Sequence, residues 1–196
     1  EIFGPEKAFM PLTLSKALKD DNVALSIGVY SLMGTKDASG RCIIFIDPSK
    51  QDKTKYPRES MCRVVWYICH AALEDEMTQK RGVIYIAYPH HAKLSQIDRP
   101  LTKMNIESIK GCIPVRQSGI HICHPPSFVS LLLPILKVFM GERLRKRLQM
   151  HSGSTEKVLK NIAAYGLPKE SMPTDLGGDA VVDHLRWLEH RRTSGL

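Results

Sequence analysis

Residues 113–153 read IPVRQSGIHICHPPSFVSLLLPILKVFMGERLRKRLQMHSG. The stretch joins a buried-strand pattern at 119–123 to an apolar run at 128–140 and then to four closely spaced cations, Arg143, Arg145, Lys146 and Arg147. On a strand, successive side chains alternate faces, so Ile120 and Ile122 share one side and His121 and Cys123 the other. On a helix, Met140, Leu144 and Leu148 form one stripe, bordered by Arg143 and Arg147 and, on its other side, by Arg145. An apolar stripe edged with cations suits a water–lipid boundary. It also suits an ordinary helix packed on a core, and the apolar run just upstream favours the boundary.

Outward from this stretch, 42–46 and 83–88 are unbroken apolar runs rich in β-branched and aromatic residues, the pattern of strands covered on both faces. Pro57 opens a helical pattern over 59–79 and Pro100 a shorter one over 100–109. Strand, helix, strand, helix, strand implies an α/β fold with a mixed, mostly parallel sheet covered by helices. Residues 1–36 read as a helical segment, with Thr13 capping a short helix and 22–33 forming a second; 37–178 form the main domain and 179–196 a C-terminal helix. Further helices are expected at 126–139, 142–149, 155–165 and 179–192, separated by Gly141, Gly153 and Gly166.

The 196 residues suffice for one domain with a sizeable core, and a net charge of +8 favours an anionic partner. Aromatic residues make up 7%, with two Trp, which gives little material for base stacking, so a membrane surface is preferred to nucleic acid. Five cysteines, three in apolar runs, read as reduced buried thiols of a cytoplasmic protein. The chain begins at Glu1 with no initiator Met and no basic-then-apolar leader, so its natural start is expected upstream. The longest uncharged apolar run, 128–136, contains Pro134 and is far shorter than the ~20 residues that span a bilayer, so membrane contact is expected to be peripheral.

A nucleotide site needs a glycine-rich turn after a strand, whereas Asp47-Pro48-Ser49 and Pro89-His90-His91 follow the first two strands. His121, Cys123 and His124 are zinc-ligand types, but Cys69-His70 and His90-His91 supply no CxxC or HxxxH partner, and no metal is expected. There is no G-x-S-x-G, and Ser152-Gly153-Ser154 reads as a loop and helix cap. A binding protein without catalytic residues or cofactors, working as a monomer, is therefore expected.

The segment Ile120-His121-Ile122-Cys123-His124-Pro125-Pro126 with Phe128, then Lys137-Val138-Phe139-Met140, Arg147, Met150-His151, Leu167-Pro168 and Gly177-Gly178 resembles the CRAL-TRIO lipid-transfer family over about residues 40–178. That family's pattern is roughly I-H-x-I-N-x-P-x-x-F, K-P-F-L, H-G and L-P…G-G; here His124 replaces Asn and Val138 replaces Pro. The resemblance implies one apolar pocket above the sheet, closed by a mobile gate helix over 135–148, that carries a lipid or other hydrophobic molecule. It implies pocket positions at Val83, Tyr85, Ala87, Ile109, Ile113, Val115, Phe128, Leu132, Ile135, Phe139 and Met140. By similarity to the tocopherol-transfer branch, phosphoinositide contacts fall on Arg116, Arg143 and Arg147, with Ser118 in place of a further cation. By similarity to the phosphatidylinositol-transfer branch, a headgroup contact falls on Lys157, while Val115 stands where that branch has Glu. The function implied is a hydrophobic-ligand carrier docking on anionic phospholipid; the alternative is an interaction or targeting module whose pocket has collapsed.

Overall fold

A computed structural model describes residues 13–194, apart from the side chains of 110–112. Five strands form one sheet in the order β1 (Tyr30–Lys36), β2 (Cys42–Ile46), β3 (Val83–Ala87), β4 (Gln117–Cys123), β5 (Leu148–His151). β1 pairs antiparallel with β2, and all later pairs are parallel. α1 (Leu14–Asp20) and α2 (Asn22–Ile27) precede the sheet, with the Thr13 hydroxyl accepting from the Lys16 amide at 3.1 Å. α3 (Arg58–Ala72) and α4 (Glu76–Arg81) link β2 to β3; α5 (Arg99–Cys112) links β3 to β4. α6 (Ser127–Phe139) and α7 (Glu142–Lys146) link β4 to β5, and α8 (Thr155–Ala163) and α9 (His184–Thr193) follow.

Each parallel strand is added beside the one before it, and right-handed crossovers then place every linking helix on the same face. One core lies on that face, joining Ile44 and Tyr85 of the sheet to Met61, Val65 and Ile68 of α3. The opposite face, with Ile43, Phe45, Ile84, Ile86 and Cys123, is covered by Val158 and Ile162 of α8 and by Leu167, Met172 and Leu176 beyond it. α9 closes over the first core, where buried Arg191 donates to Glu74 at 2.6 and 2.7 Å and to the Tyr67 hydroxyl at 2.9 Å.

Three elements differ from the sequence reading. The helix expected over 22–33 stops at Gly28, which takes φ +70 against the His184 ring, and β1 follows. Residues 30–36 are thus hydrogen-bonded to β2, joined through a turn in which the Asp37 carboxylate accepts from the Ser39 and Arg41 amides at 3.0 and 2.8 Å. The helix expected over 59–79 breaks after Ala72, and the one over 142–149 ends at Lys146, so that Leu148 enters an edge strand.

On the α8 side, His121 and His151 are both buried, with His121 Nδ1 3.0 Å from His151 Nε2 and their rings stacked beside Tyr165. Burial, followed by the neighbouring His151 and Arg41, lowers the His121 pKa to about 4, and burial also lowers that of His151. The folded pair therefore resists protons that the unfolded chain accepts below the ordinary imidazole value of 6.5. Stability should be unaffected by this pair above pH 6.5 and fall as pH drops from 6.5 towards 4, by up to about 1.4 kcal/mol per pH unit from His121. Urea midpoints measured across that range should lose part of their slope in His121→Leu/His151→Leu, and an unaltered slope would refute the assignment. Gly82 has φ +87 and ψ −170, a region open essentially to glycine, and a Cβ there would collide with the Arg116 carbonyl. Gly82→Ala should cost at least about 1–3 kcal/mol in the same measurement.

Candidate hydrophobic-ligand site

The two-residue period of the strands sets two cross-strand rows of side chains on the α3 side of the sheet: Ile44–Tyr85–Ile120–Leu148 and Ile46–Ala87–Ile122–Met150. α3 covers Ile44, but towards β4 and β5 the rows are not fully met by helix. There a cavity of about 230 Å3 opens, floored by Ile46, Tyr85, Ala87, Ile120, Ile122 and Leu148. α5 supplies one wall through Thr102, Asn105, Ile106 and Ile109. The roof is α6, whose Val129, Leu132, Leu133 and Leu136 recur at i, i+3, i+4 and i+7, continued by Met140 and by Leu144 of α7.

Polar groups around the cavity are largely matched. Asn105 donates to the Tyr30 hydroxyl and accepts from the Cys62 thiol, each at 3.0 Å. The Asp98 carboxylate caps α5, accepting from the Leu101 amide at 3.0 Å and from Arg58 Nε at 2.8 Å. Burial pushes the Cys62 thiol up to about 12 and Cys69, beside the Tyr85 hydroxyl, up to about 11, and it holds the Tyr30 and Tyr85 phenols above their usual range. Tyr30 and Tyr85 line the cavity, Cys62 and Cys69 are buried against Asn105 and Tyr85, and all four are protonated and neutral, so the chemistry on offer is apolar burial with a few directed hydrogen bonds.

The positions expected to touch a ligand are distributed unequally. Tyr85, Ala87, Ile109, Leu132 and Met140 line the cavity. Val83 shares the sheet face but is fully buried in the first core, where Ile113 and Val115, in the loop after α5, also pack. On α6 the expected series Phe128, Leu132, Ile135, Phe139 is about one residue out of phase, since each residue turns the helix by ~100°. Ile135 consequently points outward with Leu131 and Val138, the last two 78% and 77% exposed. Phe128 is half-buried off the cavity, and Phe139 lies beneath the Lys103 ammonium, 5.5 Å from its ring centre. Leu133, Leu136, Leu144 and Leu148 also line the cavity; the apolar spacing of α6 carries the phase of the first two, whereas Gln51, Asp98 and Asn105 carry no such signal.

The expected cationic positions also separate. Arg143 and Arg145 are exposed on α7, Lys146 pairs with Glu142 at 2.7 Å, and Arg116 is exposed at the nearby start of β4. Arg147 is half-buried and its guanidinium donates to the Gln117 carbonyl, so it ties β5 to β4. Lys157 lies on α8, across the sheet from the cavity, because Val158 beside it belongs to the second core. Among the described residues, no three or more His, Cys, Asp or Glu side chains converge as metal ligands, and no helix is long and apolar enough to cross a membrane.

The solved crystal structure of Sfh5 superposes with a TM-score of 0.65 at 12% identity, covering 95% of this chain and 72% of that one, which is a likeness of fold. Human clavesin-2 is 25% identical over 193 residues, 94% of this chain and 57% of clavesin-2. The alpha-tocopherol transfer protein-like protein of Mus musculus is 25% identical over 167 residues, 84% of this chain and 46% of that protein. The chain spans about half the length of these relatives. The CRAL/TRIO domain model matches residues 25–178, from α2 through the whole sheet to the Gly177-Gly178 turn, and the chain belongs to the CRAL/TRIO family.

Proposed function

We propose that this chain holds a hydrophobic, lipid-like molecule between the sheet and α6 and carries or presents it at anionic phospholipid surfaces, acting as a peripheral, cytoplasmic binding protein. The observation that carries this reading is the way the cavity is roofed. Among the described residues, no side-chain hydrogen bond or ion pair joins α6 or α7 to the rest of the fold; apolar packing and the Lys103–Phe139 contact hold them. Pro134 inside α6 also removes one of its backbone hydrogen bonds. Family membership and the likeness to an alpha-tocopherol transfer protein-like chain support the same reading.

A volume of about 230 Å3 is below the ~300–1,000 Å3 of ordinary small-molecule sites, so loading a lipid calls for outward movement of α6 and α7. Gly141, the cap between them, is where the segment can bend. Every ~100 Å2 of apolar ligand surface buried contributes roughly 2.5 kcal/mol, which repays the displacement. Leu131, Ile135 and Val138 on the outer face of α6, followed by Arg143 and Arg145, form the surface that would meet the membrane, with apolar groups at acyl depth and cations at the phosphates. Arg116 extends this rim; Arg147 supports it structurally, and Lys157 lies outside it.

Native mass spectrometry of the protein purified from cells should detect a retained hydrophobic mass. Ala87→Phe, which fills the cavity floor, should reduce its occupancy at least tenfold with little change in melting temperature. A wild-type chain that retains nothing and binds no added lipid would overturn the carrier reading. Arg143→Glu/Arg145→Glu should weaken co-sedimentation with phosphatidylserine-containing vesicles by tenfold or more at low salt, with the deficit shrinking as ionic strength rises. Unchanged co-sedimentation would refute the docking surface.

A further inference from the structure

Beside the apolar cavity lies a second one of about 360 Å3, open to solvent and bordered by the loop after β2 and the starts of α3 and α5. The two share the residues Gln51 and Asp98. Asp98 is fixed by Leu101 and Arg58, whereas the Gln51 side chain is not. Gln51 Nε2 is buried with no hydrogen-bond partner, although its own backbone is pinned by the Pro48 carbonyl at 3.2 Å and by Gln96 Nε2 at 3.3 Å. Tyr56, 9% exposed, lines the second cavity, and its hydroxyl is buried near the Asp52 backbone with no acceptor for its proton. The surrounding loop is otherwise well tied, with Lys53 Nζ donating to the Ile97 carbonyl at 3.1 Å. A buried donor left unpaired costs about 1–3 kcal/mol, and both of these belong to residues that line the second cavity.

Charge selects the complementary ligand. Lys53 and Arg58 line the second cavity with Glu59 and Asp98, so its formal charges cancel, and Arg58 is already engaged by Asp98. Such a lining offers no surplus charge to a phosphate or carboxylate, but it does offer two unpaired donors to a neutral oxygen. Resting on the carrier reading above, we infer that Gln51 and Tyr56 form a polar subsite that receives the uncharged oxygen end, an alcohol or ester, of a lipid whose chain lies in the apolar cavity. The chain would pass between the cavities at Gln51, whose free side chain can turn aside while its amide closes on the oxygen.

The test uses displacement of diphenylhexatriene from the whole chain by hexadecanol, methyl palmitate and hexadecane. In the wild type the two oxygenated ligands should displace it at concentrations at least tenfold below hexadecane. In Gln51→Leu and in Tyr56→Phe, which removes only the oxygen, that advantage should shrink below threefold, with circular dichroism confirming the fold. Equal displacement by all three ligands in the wild type, or an advantage retained in both variants, would overturn the subsite and leave the apolar cavity standing. Failure of the wild type to take up diphenylhexatriene or any of the three would overturn the subsite and the carrier reading together.

Discussion

The layout of the molecule depends on the handedness of its crossovers acting on a sheet whose strands are added in sequence order. That combination sends α3, α5 and α6 to one face and leaves α8 and the chain beyond it to cover the other. A two-residue strand period turns this into chemistry. Ile120 and Ile122 look towards the crowded side, while His121 and Cys123 look towards α8. The cavity occupies the part of the sheet face that α3 and α5 leave open, so its floor is strand and its roof is α6, held by apolar packing.

Much of this layout was legible in the sequence wherever one periodicity dominated. The runs at β2, β3 and β4 carry no competing pattern and were placed to within a residue or two. β1 was not, because Gly34 interrupts its alternation and the apolar spacing of α2 continues through Gly28 into Met33; only the left-handed Gly28 marks the change. β5 is four residues long and follows directly on a basic helix, so Leu148 extended the helical stripe equally well. Leu144 and Leu148 nevertheless both reach the cavity, one from α7 and one from a strand.

The candidate site was less legible than the fold, for reasons that particular residues illustrate. A one-residue error in helical phase exchanged Leu133 and Leu136 for Ile135 and Phe139. Arg147 is a cation by composition, yet its bond to the Gln117 carbonyl makes it part of the β4–β5 seam. Gln51 and Asp98 are brought together by two loops far apart in sequence, held by Lys53 to Ile97 and by Gln96 to Ser49. No local pattern encodes a meeting of that kind.

The attachment of α6 and α7 by apolar contact has a thermal consequence. Separating apolar surfaces near 25 °C changes enthalpy little but raises heat capacity, so the free energy of lifting this segment weakens on cooling and responds little to salt. A surface that offers hydrocarbon to Leu131, Ile135 and Val138 as the inner leucines leave theirs would make the two states nearly equal in apolar exposure. The heat-capacity difference between closed and lifted segment would then nearly vanish at a bilayer, while in water it would remain large.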